Sequence, residues 1–219
     1  MSSSPLHART QGPGRPKDME KRAAILEAAK RLFVRNAFAG TSMDAVASEA
    51  GVSKLTVYSH FGDKDNLFRE VIRARVQDWL PESAFAFDPD TDIGETLLRL
   101  ALVYVHLDCD PQAIGMLRAI LGDCRQGNPR YGRLLWEEGP QRTLRLIEQL
   151  LHKAVVAGQL AIDDLPSSSS QFIALIKGDL ILRRMFGCDE CCSEDYAQEI
   201  EATARAGVAT FLRAYRPAH

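Results

Sequence analysis

From Thr41 to Phe61 the chain carries two helix starts in close succession with one glycine corner between them, and that spacing allows only two short helices set at an angle. Thr41 stands three residues before Asp44, a pattern that satisfies free amides at a helix start, so a helix opens near Ser42. Met43, Val46, Ala47 and Ala50 then occupy one face at i, i+3, i+4, i+7, and Gly51 supplies a left-handed stop. Ser53 can cap a third helix running to Phe61. Gly62 and Asp63 close it and open a fourth, Lys64 to about Leu80, ended by Pro81. A first helix, Met19 to Asn36, precedes them, with Ile25, Ala29, Leu32 and Phe33 at helical spacing. Ahead of it Gly12, Pro13, Gly14 and Pro16 argue against a regular element, so residues 1–17 are read as a flexible arm.

Behind Pro81 every clear period is helical and no alternating strand pattern persists. Helices are predicted over Asp92–Leu107, Pro111–Arg125, Pro129–Glu138, Pro140–Gly158, Gln171–Phe186 and Asp195–Tyr215, with Ser167 to Ser170 left as the one low-complexity tract. The fold class is therefore all-α. A three-helix helix-turn-helix domain over 18–80, its fourth helix leading out, is followed by a helical bundle over 81–219.

Composition excludes several classes. With 46% hydrophobic and 26% charged residues the chain can bury a full core, and its longest unbroken apolar run, Leu100 to Val105, is far short of the ~18 residues of a membrane span. No basic stretch followed by an apolar block opens the chain, so a cytoplasmic location without membrane contact is expected. The net charge of −2 hides an asymmetry: residues 1–80 hold 13 Lys+Arg against 9 Asp+Glu, and residues 81–219 hold 14 against 20. A basic front suits a polyanion, because a positive surface releases counterions from nucleic acid. P-loop, Rossmann glycine, His-Glu-x-x-His and Gly-x-Ser-x-Gly patterns are all missing, so no enzymatic activity, cofactor or metal is expected.

The third helix shows what such a front could touch. Val57 and Phe61 form its apolar i, i+4 pair and must face the first two helices. The opposite arc offers Leu55, Thr56, Ser59 and His60, flanked by Lys54 and Tyr58. Hydroxyl, imidazole, phenol and ammonium groups can read base edges and phosphates, and Leu55 can meet a thymine methyl. The amides at the Lys64 helix start favour a phosphate, and Arg15 and Lys17 of the arm could reach an adjacent minor groove.

The run Thr41-Ser42-Met43-Asp44-Ala45-Val46-Ala47, followed by Ala50-Gly51-Val52-Ser53-Lys54-Leu55-Thr56-Val57-Tyr58-Ser59-His60-Phe61 and Asp63-Lys64-Asp65-Asn66-Leu67-Phe68, resembles the DNA-binding domain of the TetR family of bacterial repressors over about residues 19 to 68. The resemblance implies a dimeric, all-helical, ligand-responsive repressor on a palindromic double-stranded operator. It also implies phosphate contacts from Thr41 and Ser42, a groove-facing set of Lys54, Thr56, Tyr58, Ser59 and His60, and a backbone contact from Lys64. Leu55 departs from the small residue usual at that step.

In the rear half, Gln171 to Phe186 is apolar almost all round, with only Lys177 and Arg184 as a polar strip. Such a helix must be covered on two sides, and a second copy of the chain is the economical cover. The last helix offers Ala204 and Gly207 for close approach. The expected homodimer interface is Ile173, Leu180, Ile181, Arg184, Ala204, Val208 and Phe211, with Asp179 and Arg183 paired with each other or across the dimer. The segments 132–158 and 171–179 are similar to the effector domain of the AefR-like branch of the same family. That likeness implies a pocket for a small apolar or amphipathic effector. Large residues on core-facing stripes are its candidate lining: Leu98, Leu102, Tyr104, His106, Met116, Ile120, Trp136, Leu144 and Phe172. A rival reading is a thiol- or metal-responsive regulator sensing through Cys188, Cys191 and Cys192.

Overall fold

The computed structural model describes residues 14–125, 127, 129–188 and 194–217. Eleven α-helices and one short 3-10 turn account for the regular structure among them: α1 Gly14–Asn36, α2 Met43–Glu49, α3 Lys54–Phe61, α4 Lys64–Trp79, the turn Glu82–Phe85, α5 Ile93–Cys109, α6 Pro111–Arg125, α7 Arg130–Glu138, α8 Pro140–Val156, α9 Leu165–Lys177, α10 Leu180–Phe186 and α11 Glu194–Tyr215. The fold is all-helical. Ser53 and Asp63 cap as read from sequence, accepting from the amides of Thr56 and Asn66, and Gly51 has φ 65°, but α2 is capped by Ser42, which accepts from the Ala45 amide, and not by Thr41.

Three boundaries differ from the sequence reading. Helix α1 starts at Gly14, inside the segment expected to be an irregular arm; Pro16 sits in its first turn, where a missing N–H is no loss. The serine tract lies within α9, whose N-terminus is capped by Asp164, and the Ser168 and Ser169 hydroxyls donate to carbonyls one turn back. The predicted single helix Gln171–Phe186 is two helices. Gly178, at φ 51° and ψ −133°, ends α9 in a conformation that favours glycine, and α10 begins after Asp179.

Among the described residues buried side chains form two clusters, and these do not divide at Pro81. The front cluster joins Ile25, Phe33, Val46, Val57, Phe61 and Phe68 of α1 to α4 with Met116 and Ile120 of α6 and Leu134 of α7. An aromatic group binds these parts together. Phe33 and Phe38 stack at 5.3 Å, Phe68 meets both edge-on at 5.2 Å, and Tyr131 of α7 stacks on Phe38. The rear cluster gathers α5, α8, α9 and α11 around Leu97, Leu100, Ile147, Phe172, Ile176 and Phe211.

Helix α4 runs from one cluster towards the other, with Leu67, Phe68, Val71 and Ile72 buried in the front core. Its outer face is tied to the end of α7: Glu138 accepts from Arg69 at 2.8 Å and from Arg73 Nε at 2.7 Å.

Candidate nucleic-acid interface and internal cavity

The α2–α3 corner presents one face of α3 to solvent because its other face is committed. Val57 and Phe61 are buried, while Leu55 is 78% and Tyr58 41% exposed, and Lys54 and Ser59 are exposed beside them. Two large apolar or aromatic groups held in water on a short, capped helix mark a surface with a use beyond packing. The helix start is rigid: Ser53 Oγ accepts from the Thr56 amide at 3.1 Å and lies 2.8 Å from the Thr56 hydroxyl, and the Ser59 hydroxyl donates to the Thr56 carbonyl at 2.8 Å. Lys54 pairs with Asp44 of α2 at 2.8 Å, which raises its pKa. Such an exposed pair is exchanged at little cost for a phosphate.

Three of the residues expected at this surface are placed otherwise. Thr41 is buried, its hydroxyl directed to the carbonyls of Ala37 at 2.8 Å and Leu32 at 3.2 Å, so it locks the α1–α2 corner and offers no side chain to phosphate. His60 points back across the domain: Nε2 lies 3.2 Å from Asp18 of α1 and the side chain is only 12% exposed. Lys64 folds its ammonium over the Phe38 ring, 4.1 Å from the centroid, and burial there lowers its pKa. The side chains of Arg15 and Lys17 lie outside the described residues. Ser42 remains exposed at the start of α2.

A second feature lies where the front and rear clusters meet. A cavity of about 180 Å³ is walled by Ile72, Arg75 and Val76 of α4, Tyr104, Leu107 and Asp108 of α5, Ala113, Met116 and Leu117 of α6, Leu135 of α7, Gly139, Pro140 and Thr143 around the start of α8, Lys177 of α9 and Ile181 of α10. Charged pairs line its edge. Arg75 bonds to Asp110, the residue whose carboxylate also accepts from the Gln112 and Ala113 amides at the start of α6. Lys177 pairs with Asp108 at 2.6 Å and lies over the Tyr104 ring at 5.1 Å. Burial, reinforced by Asp108, holds the Tyr104 phenol well above its usual pKa.

Of the nine residues picked from apolar stripes, Tyr104 and Met116 reach this wall. Leu98, Leu102 and Phe172 belong to the rear core and Ile120 to the front core, Leu144 is half-buried away from the wall, and His106 and Trp136 face solvent. Arg75, Asp108, Thr143 and Lys177 were not anticipated. Their one trace in the sequence is Lys177, a charge directly after the apolar run Phe172 to Ile176, because the wall is assembled from seven helices and no single period marks it.

The expected dimer residues also need correction. Leu180, Arg184, Ala204, Val208 and Phe211 are buried within the chain itself, and Ile173 and Ile181 pack half-buried against the same core. Phe211 meets Phe172 edge-on at 5.2 Å, and the Arg184 guanidinium lies over Tyr196 and donates to the Cys109 carbonyl. The small residues of α11 serve a contact inside the chain, against α9. Asp179 and Arg183 do pair, at 3.4 Å. Of the cysteine cluster, Cys188 is exposed, and Cys191 and Cys192 lie outside the described residues. Among the described residues no group of three potential ligands could hold a metal, and no helix is long and apolar enough to cross a membrane.

A capped helix-turn-helix whose core is completed by α4, α6 and α7, followed by a helical bundle, defines a DNA-binding regulator. Residues 25–71 match the bacterial regulatory proteins of the tetR family, and residues 95–217 match the C-terminal domain of AefR-like transcriptional repressors. The chain belongs to the TetR family of transcriptional regulators. It is similar to the HTH-type transcriptional regulator SrpR of Pseudomonas putida, 29% identical over 164 residues that make up 73% of each chain. Among solved structures it is similar to a TetR-family regulator from Mesorhizobium loti, with 27% identity and a TM-score of 0.76 over 92% of this chain and 99% of that one. The flavonoid-responsive regulator FrrA shares 32% identity, with a TM-score of 0.71 over 92% of this chain and all of that one. Membership makes the chain a non-enzymatic transcriptional regulator, and implies operator DNA and an effector-regulated dimer.

Proposed function

We propose that the chain is a dimeric repressor that binds a palindromic operator in the cytoplasm and leaves it when a small apolar or amphipathic molecule fills the cavity. Each subunit lays α3 in a major groove. Leu55 and Tyr58 meet base edges, Lys54 leaves Asp44 for a phosphate, Thr56 and Ser59 add polar contacts, and Ser42 donates its hydroxyl to the backbone. The observation that carries this reading is the division of α3 into a buried Val57/Phe61 edge and an outward Leu55/Tyr58 edge.

The dimer face is the outer side of the rear helices, where α10 exposes Leu182 and Phe186 four residues apart and α11 exposes Ala202, Ala206 and Ala209. Helix α4 couples the two functions, since Ile72 belongs both to the front core and to the cavity wall. A ligand that displaces α4 changes the separation of the two α3 helices, which must sit ~34–36 Å apart to enter successive turns. A coupling of about 1–3 kcal/mol suffices for such a response. FrrA is flavonoid-responsive by name, which supports a small organic effector here.

Selection of bound fragments from a random DNA pool tests the reading. A palindromic consensus whose half-sites are about one helical turn apart is expected, with the preference at one base pair relaxed in Leu55→Ala. Recovery of no consensus sequence would reject it.

A further inference from the structure

The cavity selects a chemistry. Among the described residues its fully buried polar side-chain atoms are matched with one exception: Lys177 pairs with Asp108, whose charge also acts on the Tyr104 phenol, and the Thr143 hydroxyl donates to the Gly139 carbonyl at 3.2 Å. Arg75 uses one terminal nitrogen on Asp110 and the other on Gln112, at 3.1 Å. Its Nε–H is shut off from solvent and has no acceptor among the described residues. A buried donor left unmade is unfavourable, and an acceptor delivered by a ligand relieves it. Charge narrows the choice further. Arg75 with Asp110 and Lys177 with Asp108 already balance, so an ionised ligand would bring an uncompensated charge into a largely apolar space. A volume of about 180 Å³ is close to that of a cavity of ~150 Å³ that takes up benzene.

We propose that this cavity binds an uncharged molecule the size of one ring or a short chain, carrying a single accepting oxygen such as a ketone, ester or lactone carbonyl. The oxygen docks on Arg75 Nε–H, and the apolar part lies against Met116, Leu117 and Ile181. This rests on the cavity being the effector site and adds what the site discriminates. Arg75 is then the specificity-determining residue, and because it links α4 to the Asp110 cap of α6, it also reports occupancy to the helix that carries the DNA-binding domain.

Calorimetric titration of the full chain with acetophenone, ethylbenzene and benzoate compares a ring bearing a carbonyl, no acceptor and a charge. Acetophenone is expected to bind about tenfold more tightly than ethylbenzene, and benzoate more weakly than acetophenone. Arg75→Lys keeps a cation for Asp110 and removes Nε–H; the advantage of acetophenone should vanish there while ethylbenzene binding persists. Equal wild-type affinities for acetophenone and ethylbenzene, or benzoate binding as tightly as acetophenone, would overturn the acceptor assignment and leave the effector site standing. Binding of none of them, or binding unaffected by Leu117→Trp, which fills the cavity, would remove the effector site itself and the proposal with it. Should Arg75→Lys not fold, the three wild-type titrations decide.

Discussion

Gly207 of α11 lies directly over the backbone of Leu175 in α9: a Cβ placed on it would stand 2.5 Å from the Leu175 carbonyl oxygen and 2.8 Å from the Ile176 Cα. Both neighbours are helical backbone, which cannot rotate aside as a side chain could. The two helices are therefore as close as they are because position 207 has no side chain. Gly207→Ala should destabilise the chain by about 1–3 kcal/mol through forced separation of α9 and α11. Denaturant unfolding of the two proteins measures it, and unchanged stability would mean that the helices are not in this contact.

The exposed edge of α3 should carry DNA affinity and little stability. Tyr58→Ala and Leu55→Ala are each expected to weaken operator binding by about 1–3 kcal/mol, with thermal unfolding nearly unaltered because neither side chain belongs to the front core. Gel-shift titration beside a melting curve separates the two effects.

Thr41 should behave in the opposite way. Its buried hydroxyl satisfies the Ala37 carbonyl, so Thr41→Val is expected to cost about 1–2 kcal/mol of stability. Operator affinity of the fraction still folded should match the wild type, measured by gel shift at a temperature well below the melting point. A selective loss of DNA binding with stability intact would restore Thr41 to the interface.

The Glu138 carboxylate gives a pH signature. Burial pushes its pKa up, but hydrogen bonds from Arg73 and Arg69 prevail and hold it below the usual carboxylate value of 4.5. A group depressed on folding binds protons more readily when unfolded, so its stabilisation is complete above pH 4.5 and is lost as the pH falls towards its folded pKa. Glu138→Gln should remove this component and cost about 1 kcal/mol at pH 7, a modest figure because both arginines are partly exposed. Urea unfolding at pH 7 and pH 4 should show a smaller acid loss for the variant than for the wild type.

The front domain was legible because its signals are local. Ser53 and Asp63 cap the helices that follow them through contacts three residues away, and Gly51 turns the chain by its own φ; at α2 the start was legible but its cap is Ser42, one residue on from Thr41. The burial of Val57 and Phe61 followed from a four-residue period. His60 and Lys64 were misplaced for a complementary reason. Each sits on a helix facing solvent by the wheel, yet Asp18 draws one and the Phe38 ring the other, and both partners arrive from distant parts of the chain.

The amino-acid order by itself determined the helical class, the capped corner between α2 and α3 and the apolar edge of α3, since each depends on residues within a turn or two of one another. Tertiary structure alone decided which apolar faces cover each other. A wheel shows that Phe211 and Leu180 must be buried but not whether the cover is the same chain or another, and here it is the same chain. It alone also decided the cavity, because Arg75, Asp108 and Lys177 lie far apart in sequence and meet only where packed helices leave a space between them.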